Sequence, residues 1–166
     1  MTTEIPYELA EATLAAARAK GVMIATAESC TGGMIIGSLT EVAGSSDVVE
    51  RGFITYSNTA KREMLGVSPV TLAQYGAVAE QVAREMAEGA VSRSQAQIAV
   101  AVTGIAGPGG SEHKPEGRVC FGLAYEGHDT IVKTVEFGPI GRANVRSATV
   151  ITALEMLCES LHSDRI

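Results

Sequence analysis

The stretch Val22-Met-Ile-Ala-Thr-Ala-Glu-Ser-Cys-Thr-Gly-Gly-Met-Ile-Ile-Gly-Ser-Leu39 decides how this chain folds. Strand-forming residues lead into a short polar segment that ends in two glycines, and a second apolar run follows at once. This order predicts a strand over 22–27, a tight turn, and a helix over 32–40. The turn places small hydroxyl and thiol side chains beside the exposed N–H groups of a helix N-terminus, where they can act as nucleophile, anion ligand or helix cap.

Strand and helix patterns alternate along the rest of the chain. Helical patterns cover residues 7–20, 59–65, 81–94 and 142–161, and another short helix begins at Ser68. Strand patterns cover residues 48–56, 98–102, 119–125 and 130–137. The run Ile98–Val102 is continuously apolar, as expected for a strand covered on both faces. The pattern therefore predicts an α/β fold with helices on both faces of a mixed sheet. The predicted buried face of the last helix carries Val145, Ala148, Ile151, Leu154 and Leu157.

Composition excludes several classes of protein. The 166 residues are enough for one domain with one core. A net charge of −6 and an aromatic content of 4% argue against a nucleic-acid-binding surface. The three cysteines are far apart and show neither a disulfide pattern nor zinc-ligand spacing. No signal sequence and no apolar run of roughly 20 residues is present, so we expect a cytoplasmic protein without membrane contact.

Three polar segments follow predicted strands, at residues 26–33, 52–61 and 103–110. Loops at the carboxyl ends of strands in an open α/β sheet meet in one crevice, where ligands bind. The sequence therefore predicts one shared site that collects side chains from all three segments.

Each of these side chains also has a purely structural interpretation. Ser29 or Thr31 alone is more often a helix cap than a nucleophile, and Tyr56 alone suits a core or an interface. Cys30 is the most nucleophilic atom type present, but a buried free cysteine is commonly inert. Most lysines placed like Lys61 are solvated. The glycines of the third segment match neither the Walker A nor the dinucleotide-binding spacing. Without a histidine base, activation of a serine would need a lysine or a tyrosine.

Taken together, the three segments resemble the signature blocks of one family. The blocks are Ala27-Glu-Ser-Cys-Thr-Gly-Gly33, Arg51-Gly-Phe-Ile-Thr-Tyr-Ser-Asn-Thr-Ala-Lys61 and Val102-Thr-Gly-Ile-Ala-Gly-Pro-Gly-Gly110. They look like the CinA C-terminal domain family, whose members include stand-alone nicotinamide-nucleotide amidohydrolases. The resemblance covers nearly the whole chain. It implies a three-layer α/β/α fold in a single domain over residues 1–166, without the separate N-terminal domain of longer family members.

The resemblance also implies an activity. The carboxamide of nicotinamide mononucleotide would be hydrolysed to nicotinate mononucleotide and ammonia, with no metal and no cofactor. By similarity to the family motif, Ser29 would be the nucleophile and Lys61 its base, with Tyr56 relaying or positioning the proton. A lysine base must be neutral, which requires a pKa lowered by desolvation or by a nearby cation.

Acyl transfer to this substrate further needs donors for an oxyanion and cations for a phosphate. We expect backbone N–H groups at the Gly32-Gly33 turn to hold the oxyanion. Arg142 and Arg146, one turn apart, are the candidates for the phosphate, with Lys114 a weaker one. The full set of predicted substrate contacts is Glu28, Cys30, Thr31, Gly32, Gly33, Asn58, Thr103, Gly104, Arg142 and Arg146.

Two small departures from the family pattern fall in one loop. Pro108-Gly-Gly-Ser111 is a residue shorter than in some members, and Glu116 and Arg118 stand where Val and Thr are usual. Two alternatives stay open beside the amidohydrolase: action on another phosphorylated amide, and a non-catalytic module that senses nucleotides. A homodimer is compatible with the apolar first helix.

Overall fold

The computed structural model describes residues 6–163, so both extreme ends of the predicted 1–166 domain lie outside the described residues. The helices in this range are α1 (Tyr7–Lys20), α2 (Met34–Thr40), α3 (Asn58–Leu65), α4 (Pro69–Tyr75), α5 (Glu80–Ser92) and α6 (Arg142–His162). The strands are β1 (Ile24–Glu28), β2 (Val49–Ile54), β3 (Ile98–Gly104), β4 (Arg118–Tyr125) and β5 (Ile131–Glu136). A short 3₁₀ turn covers Ser45–Asp47.

The strands form one mixed sheet in the order β2-β1-β3-β4-β5. Strand β1 pairs in parallel with β2 and with β3. Strand β4 pairs antiparallel with β3, and β5 pairs antiparallel with β4. Glu28, the last residue of β1, lies opposite Ile54 of β2 and Val102 of β3. The three loops that leave the carboxyl ends of these strands therefore start side by side. This register brings the three polar segments to one edge of the sheet.

Helices cover both faces of the sheet, which confirms the predicted α/β/α layers. On one face, α1, α2 and α6 pack through residues such as Leu14, Ile35 and Leu154. On the other face, α3, α4 and α5 pack through residues such as Leu65 and Met86. The second face of the sheet is built largely from small side chains: Ala25, Ala27, Ala99, Ala101 and Ala124. Small residues let α5 approach the sheet closely.

Local chemistry explains where the helices begin and end. The Ser57 side chain accepts a hydrogen bond from the N–H of Ala60 at 3.0 Å and so caps the start of α3. Gly66, in the left-handed region at φ 72°, ends the same helix. Predicted and observed boundaries agree within about two residues, the usual uncertainty of helix and strand ends. Strand β3 runs past its predicted end at Val102 because Gly104 pairs with Val119 of β4.

One predicted core position is wrong. Ile151 of α6 is 38% exposed, whereas Val145, Thr149 and Ala153 are fully buried. The buried stripe steps by four residues from 145 to 149 to 153, so position 151 lies about 200° around the helix from 149. Within the described residues, every helix is too short or too polar to cross a bilayer.

Candidate active site

The turn that carries Ser29 begins where β1 ends. The N–H of Ser29 donates to the carbonyl of Val102 on β3 at 3.1 Å, and the N–H of Gly32 donates to the carbonyl of Ser29 at 3.1 Å. Gly32 and Gly33 have φ of 59° and 108°, in the region that residues with a Cβ rarely adopt. The two glycines let the chain pass directly from β1 into α2, and Ser29 is left at the carboxyl edge of the sheet.

Ser29 and Lys61 are in direct contact. The Nζ of Lys61 donates to the Oγ of Ser29 at 2.9 Å. It also donates to the carbonyl oxygens of Thr55 at 3.0 Å and Tyr56 at 3.2 Å. Lys61 is 1% exposed, so the expectation that a lysine in this position is solvated does not apply to it. Among the described residues, its amine is in no salt bridge.

Burial changes the protonation chemistry of this amine. It lowers the pKa of Lys61 to about 8, and the neighbouring Cys30 opposes the shift. A lysine with this pKa is neutral in about a tenth of the molecules at pH 7, against well under one in a thousand for an exposed lysine. Lys61 can therefore accept a proton near neutral pH.

Cys30 has the opposite properties. Burial raises the pKa of its thiol to about 12. Because the thiolate is the nucleophilic form of cysteine, this side chain is unreactive at neutral pH. The geometry and the pKa both favour Ser29 over Cys30 as the reacting group.

Tyr56 contacts the pair through its main chain. Its carbonyl oxygen accepts from Lys61, and it lies 3.5 Å from the Oγ of Ser29, which donates to it. The side chain is 63% exposed, and its hydroxyl accepts from the Nη2 of Arg142 at 3.2 Å. Among the described contacts, none joins the Tyr56 hydroxyl to Ser29 or Lys61. The predicted proton relay through this hydroxyl stays a prediction.

A cavity of about 320 Å³ opens beside the Ser29–Lys61 pair. Eight of the predicted site residues line it: Ser29, Cys30, Tyr56, Asn58, Lys61, Thr103, Gly104 and Arg142. The remaining lining residues are Ala77, Val78, Ile105, Ala106, Gly107, Pro108, Gly109, Gly110, Ser111 and Glu112. The Thr103 hydroxyl donates to the carbonyl of Ala77 at 2.9 Å and so ties the connection between α4 and α5 to the end of β3.

Glu28 and Thr31, predicted to bind substrate, are fully buried and do not line the cavity. The Glu28 carboxylate accepts from the Thr31 hydroxyl at 2.6 Å and from the N–H groups of Ile35 at 2.9 Å and Ile36 at 3.0 Å. It also accepts from the Thr26 hydroxyl at 3.2 Å. Glu28 therefore satisfies the first N–H groups of α2 and cannot face a ligand.

These and neighbouring contacts remove the N–H of Gly32 and the start of α2 from the predicted oxyanion pocket. Gly32 and Gly33 do not line the cavity, and the N–H of Gly32 is bonded to the carbonyl of Ser29. The first free N–H groups of α2 are taken by the Glu28 carboxylate. An oxyanion pocket formed by other N–H groups of this turn stays a prediction.

Two of the three predicted phosphate ligands are engaged elsewhere. Arg146 donates to the carbonyl oxygens of Cys30 at 3.1 Å and Thr31 at 3.2 Å and does not line the cavity. Lys114 donates to the carbonyl oxygens of Tyr75 at 2.6 Å and Val78 at 2.7 Å. Sequence could not reveal these acceptors, because main-chain carbonyls leave no mark in the residue pattern.

Arg142 is the predicted phosphate ligand that does reach the cavity. Its Nη1 donates to the carbonyl of Gly107 at 2.7 Å, and its Nη2 donates to the Tyr56 hydroxyl. Of the described lining residues, only Lys61 and Arg142 carry a positive charge. Because Lys61 is held against Ser29, Arg142 is the lining cation available to an anionic ligand.

The sequence had no signal for Ala77 and Val78 as lining residues, whereas Ser111 and Glu112 belong to the loop in which the departures from the family pattern fall. Ala77 and Val78 are small or apolar, and they reach the cavity only because α4 and α5 fold back over the end of β3. Their place depends on how distant segments pack, which the local pattern does not contain.

Fold and site together define an α/β protein with a buried serine–lysine pair at the carboxyl edge of its parallel strands. The chain matches the CinA C-terminal domain over residues 6–161 and belongs to that family. The predicted family is therefore confirmed.

Named relatives are similar over most of the chain. The nicotinamide-nucleotide amidohydrolase PncC of Enterobacter agglomerans is 56% identical over 119 residues, which cover 71% of this chain and 73% of that protein. A CinA-like protein of Chlorobium phaeobacteroides (strain BS1) is 50% identical over 148 residues, which cover 87% of this chain and 35% of that longer protein. The crystal structure of competence/damage inducible protein CihA from Agrobacterium tumefaciens has a TM-score of 0.91 at 52% identity, covering 96% of this chain and 97% of that one.

Proposed function

We propose that this protein is an amidohydrolase that converts nicotinamide mononucleotide to nicotinate mononucleotide and ammonia. The contact between Ser29 and Lys61 at the cavity wall carries the proposal, because amide hydrolysis needs a nucleophile beside a base. The relative from Enterobacter agglomerans bears the name of this activity, and the chain covers 73% of its length. A second relative with that name, from Escherichia coli (strain K12), is 52% identical over 125 residues.

In the proposed reaction, neutral Lys61 takes the proton of the Ser29 hydroxyl as Oγ attacks the amide carbon. The tetrahedral intermediate collapses when Lys61 returns that proton to the leaving nitrogen, which departs as ammonia. Water then attacks the acyl-Ser29 ester with Lys61 again as base. Nicotinate mononucleotide leaves, and the Ser29 hydroxyl is restored.

The three acceptors around Lys61 suit this cycle. In the neutral amine, two N–H bonds can point to the carbonyls of Thr55 and Tyr56, which leaves the lone pair facing Ser29 Oγ. After proton uptake, the ammonium group has three donors for the same three acceptors. We therefore assign to Tyr56 the orientation of Lys61 through its main-chain carbonyl.

We assign the substrate's phosphate to Arg142. It is the one lining cation of the described residues that is not held against Ser29, and a guanidinium binds phosphate by two parallel hydrogen bonds. The rest of the predicted substrate surface is lined by Asn58, Thr103 and Gly104. The glycine-rich loop after β3 lines the cavity as well.

Ammonia release from nicotinamide mononucleotide tests the proposal. We expect turnover by the wild type, a loss of at least about a thousandfold in Ser29→Ala and Lys61→Met, and near-normal activity in Cys30→Ala. Tyr56→Phe keeps the carbonyl and removes the hydroxyl, so we expect less than about a tenfold loss. A loss in Tyr56→Phe as large as in Lys61→Met would instead assign the proton relay to the hydroxyl.

Other outcomes would point elsewhere. Activity that survives Ser29→Ala but disappears in Cys30→Ala would overturn the nucleophile. Binding of nicotinamide mononucleotide by the wild type without ammonia release would favour a nucleotide-sensing module. Turnover of a different phosphorylated amide, with none of this substrate, would keep the reaction type and change the specificity.

A further inference from the structure

Arg146 lies one helical turn after Arg142 but points to a different target. Its Nε donates to the carbonyl oxygen of Cys30 at 3.1 Å, and its Nη2 donates to the carbonyl oxygen of Thr31 at 3.2 Å. These two residues directly follow Ser29. One planar guanidinium thus spans two successive carbonyls of the turn that presents the reacting hydroxyl.

The opposite side of the same turn is held by Glu28. Its carboxylate accepts from the Thr31 hydroxyl and from the N–H groups at the start of α2. The turn is therefore held by a carboxylate at the Thr31 hydroxyl and at the helix start that follows it, and by a guanidinium at the carbonyl groups of Cys30 and Thr31. Arg146 belongs to α6, so this contact joins the last helix of the fold to the turn after the first strand.

The guanidinium also lies in van der Waals range of the backbone of the turn. The left-handed backbone at Gly32 turns the chain under the guanidinium, and a Cβ built on that glycine would lie 3.5 Å from Arg146 Nη2. A lysine would not reproduce this contact, because its donors share one nitrogen, whereas Arg146 uses two separate nitrogens, Nε and Nη2, held rigidly in one plane.

We propose that Arg146 is a positioning residue for Ser29. It sets the distance between Ser29 Oγ and Lys61 Nζ through the 29–33 turn and does not bind the phosphate of the substrate. The inference rests on the proposed function in one respect, that Ser29 is the reacting hydroxyl. A displacement of about 1 Å in such a group can cost a hundredfold in rate.

The test compares Arg146→Met and Arg146→Lys with the wild type and with Arg18→Met. Arg18 is the control, since its guanidinium donates to the Asp47 carboxylate and to the main-chain carbonyl of Gly44 and lies outside the cavity. Two rates are measured: ammonia release from nicotinamide mononucleotide, and covalent labelling of Ser29 by a fluorophosphonate, located by mass spectrometry. The fluorophosphonate resembles no nucleotide, so its reaction reports the serine–lysine pair alone.

We expect both Arg146 variants to lose about 10- to 100-fold in kcat and in labelling rate, with KM within about twofold of the wild type. Arg18→Met should match the wild type in both rates. Millimolar guanidinium ion should partly restore labelling in Arg146→Ala and leave Arg18→Ala unchanged. Circular dichroism and Tm identify the variants that fold. If Arg146→Met and Arg146→Ala do not fold, the kinetic comparison is made with Arg146→Lys.

Two results would overturn the inference. A raised KM with unchanged kcat and unchanged labelling would make Arg146 a substrate ligand. Unchanged values throughout would leave it without a role in the reaction. If the wild type releases no ammonia but its labelling of Ser29 still depends on Arg146, the proposed substrate fails and the positioning role stands.

Discussion

Burial acts in opposite directions on the two reactive side chains beside Ser29. It lowers the pKa of the Lys61 amine to about 8, which makes a base available, and it raises the pKa of the Cys30 thiol to about 12, which removes a nucleophile. Both shifts have the same cause, since a group out of water favours its neutral form. Burial at the cavity wall thus favours a neutral amine at Lys61 and a neutral thiol at Cys30.

Activity should therefore depend on pH through Lys61. Protonated Lys61 cannot accept the Ser29 proton, so we expect kcat/KM to rise about tenfold per pH unit below pH 8 and to level off above it. The measurement is a pH–rate profile for ammonia release between pH 5.5 and about 9.5. A profile that is flat between pH 6 and 9 would show that Lys61 is not the titrating base.

The same shift predicts a pH-dependent contribution to stability. The pKa of Lys61 is lower in the folded protein than in the unfolded chain, so between the two values the unfolded chain binds more protons and stability rises with pH. Relative to Lys61→Met, the free energy of unfolding of the wild type should increase by about 2 kcal/mol from pH 7 to pH 10. Urea denaturation at a series of pH values measures this difference.

The β1–α2 turn shows how a short helix can be started by a buried carboxylate. Helix α2 has seven residues and its N-cap Gly33 provides no side-chain hydrogen bond, so its first N–H groups need another acceptor. Glu28, the last residue of β1, supplies both oxygens from within the fold. Glu28, the residue immediately before Ser29, thus stabilises the β1–α2 connection that carries Ser29.

Glu28→Gln should weaken this element. An amide keeps one acceptor oxygen and turns an NH₂ group toward a donor, so at least one of the Ile35 and Ile36 N–H groups loses its partner. We expect a loss of about 2–4 kcal/mol in the free energy of unfolding, since hydrogen bonds to a buried charge are among the costliest to break. Chemical denaturation is the measurement, and Glu41→Gln at an exposed position is the control. Equal stabilities of the two variants would contradict the assigned role.

The layered architecture determines where the cavity lies in the fold. Parallel pairing of β1 with β2 and β3 sets three polar loops side by side, and α5 packs on the alanine-rich face of the sheet. A Cβ built on Gly122 of β4 would lie 2.4 Å from the carbonyl oxygen of Ala83 on α5, so the spacing of these layers depends on the absence of a side chain at Gly122.

Self-association of the protein stays a prediction, which light scattering can test.

Two glycine substitutions should have opposite effects. Gly122→Ala forces α5 away from the sheet, and we expect a loss of about 1–3 kcal/mol in the free energy of unfolding. Gly37→Ala, in α2, adds a methyl group where no atom outside the local helix backbone and the adjacent residues lies within 4 Å. It should gain up to about 1 kcal/mol because alanine favours helix. Thermal and urea unfolding of both variants measure the contrast, and a gain for Gly122→Ala would show that the layers can adjust.

The local sequence predicted most of the helices and strands and much of the candidate site. Alternating strand and helix patterns, serine caps and terminal glycines determined the elements, and the positions of Ser29, Lys61 and Thr103 after their strands predicted a shared site. These features depend on neighbouring residues, whose backbone preferences and periodicity act over a few positions.

The tertiary structure decided what the polar side chains do. Glu28 and Arg146 were predicted to bind substrate. Instead, Glu28 accepts from N–H groups at the start of α2, and Arg146 on the distant helix α6 donates to carbonyl groups of the Ser29 turn. Ala77 and Val78 line the cavity only because α4 and α5 fold over β3. Partners distant in sequence, and the burial that shifts the pKa of Lys61, arise only when the layers pack, because hydrogen bonding and desolvation depend on position in space.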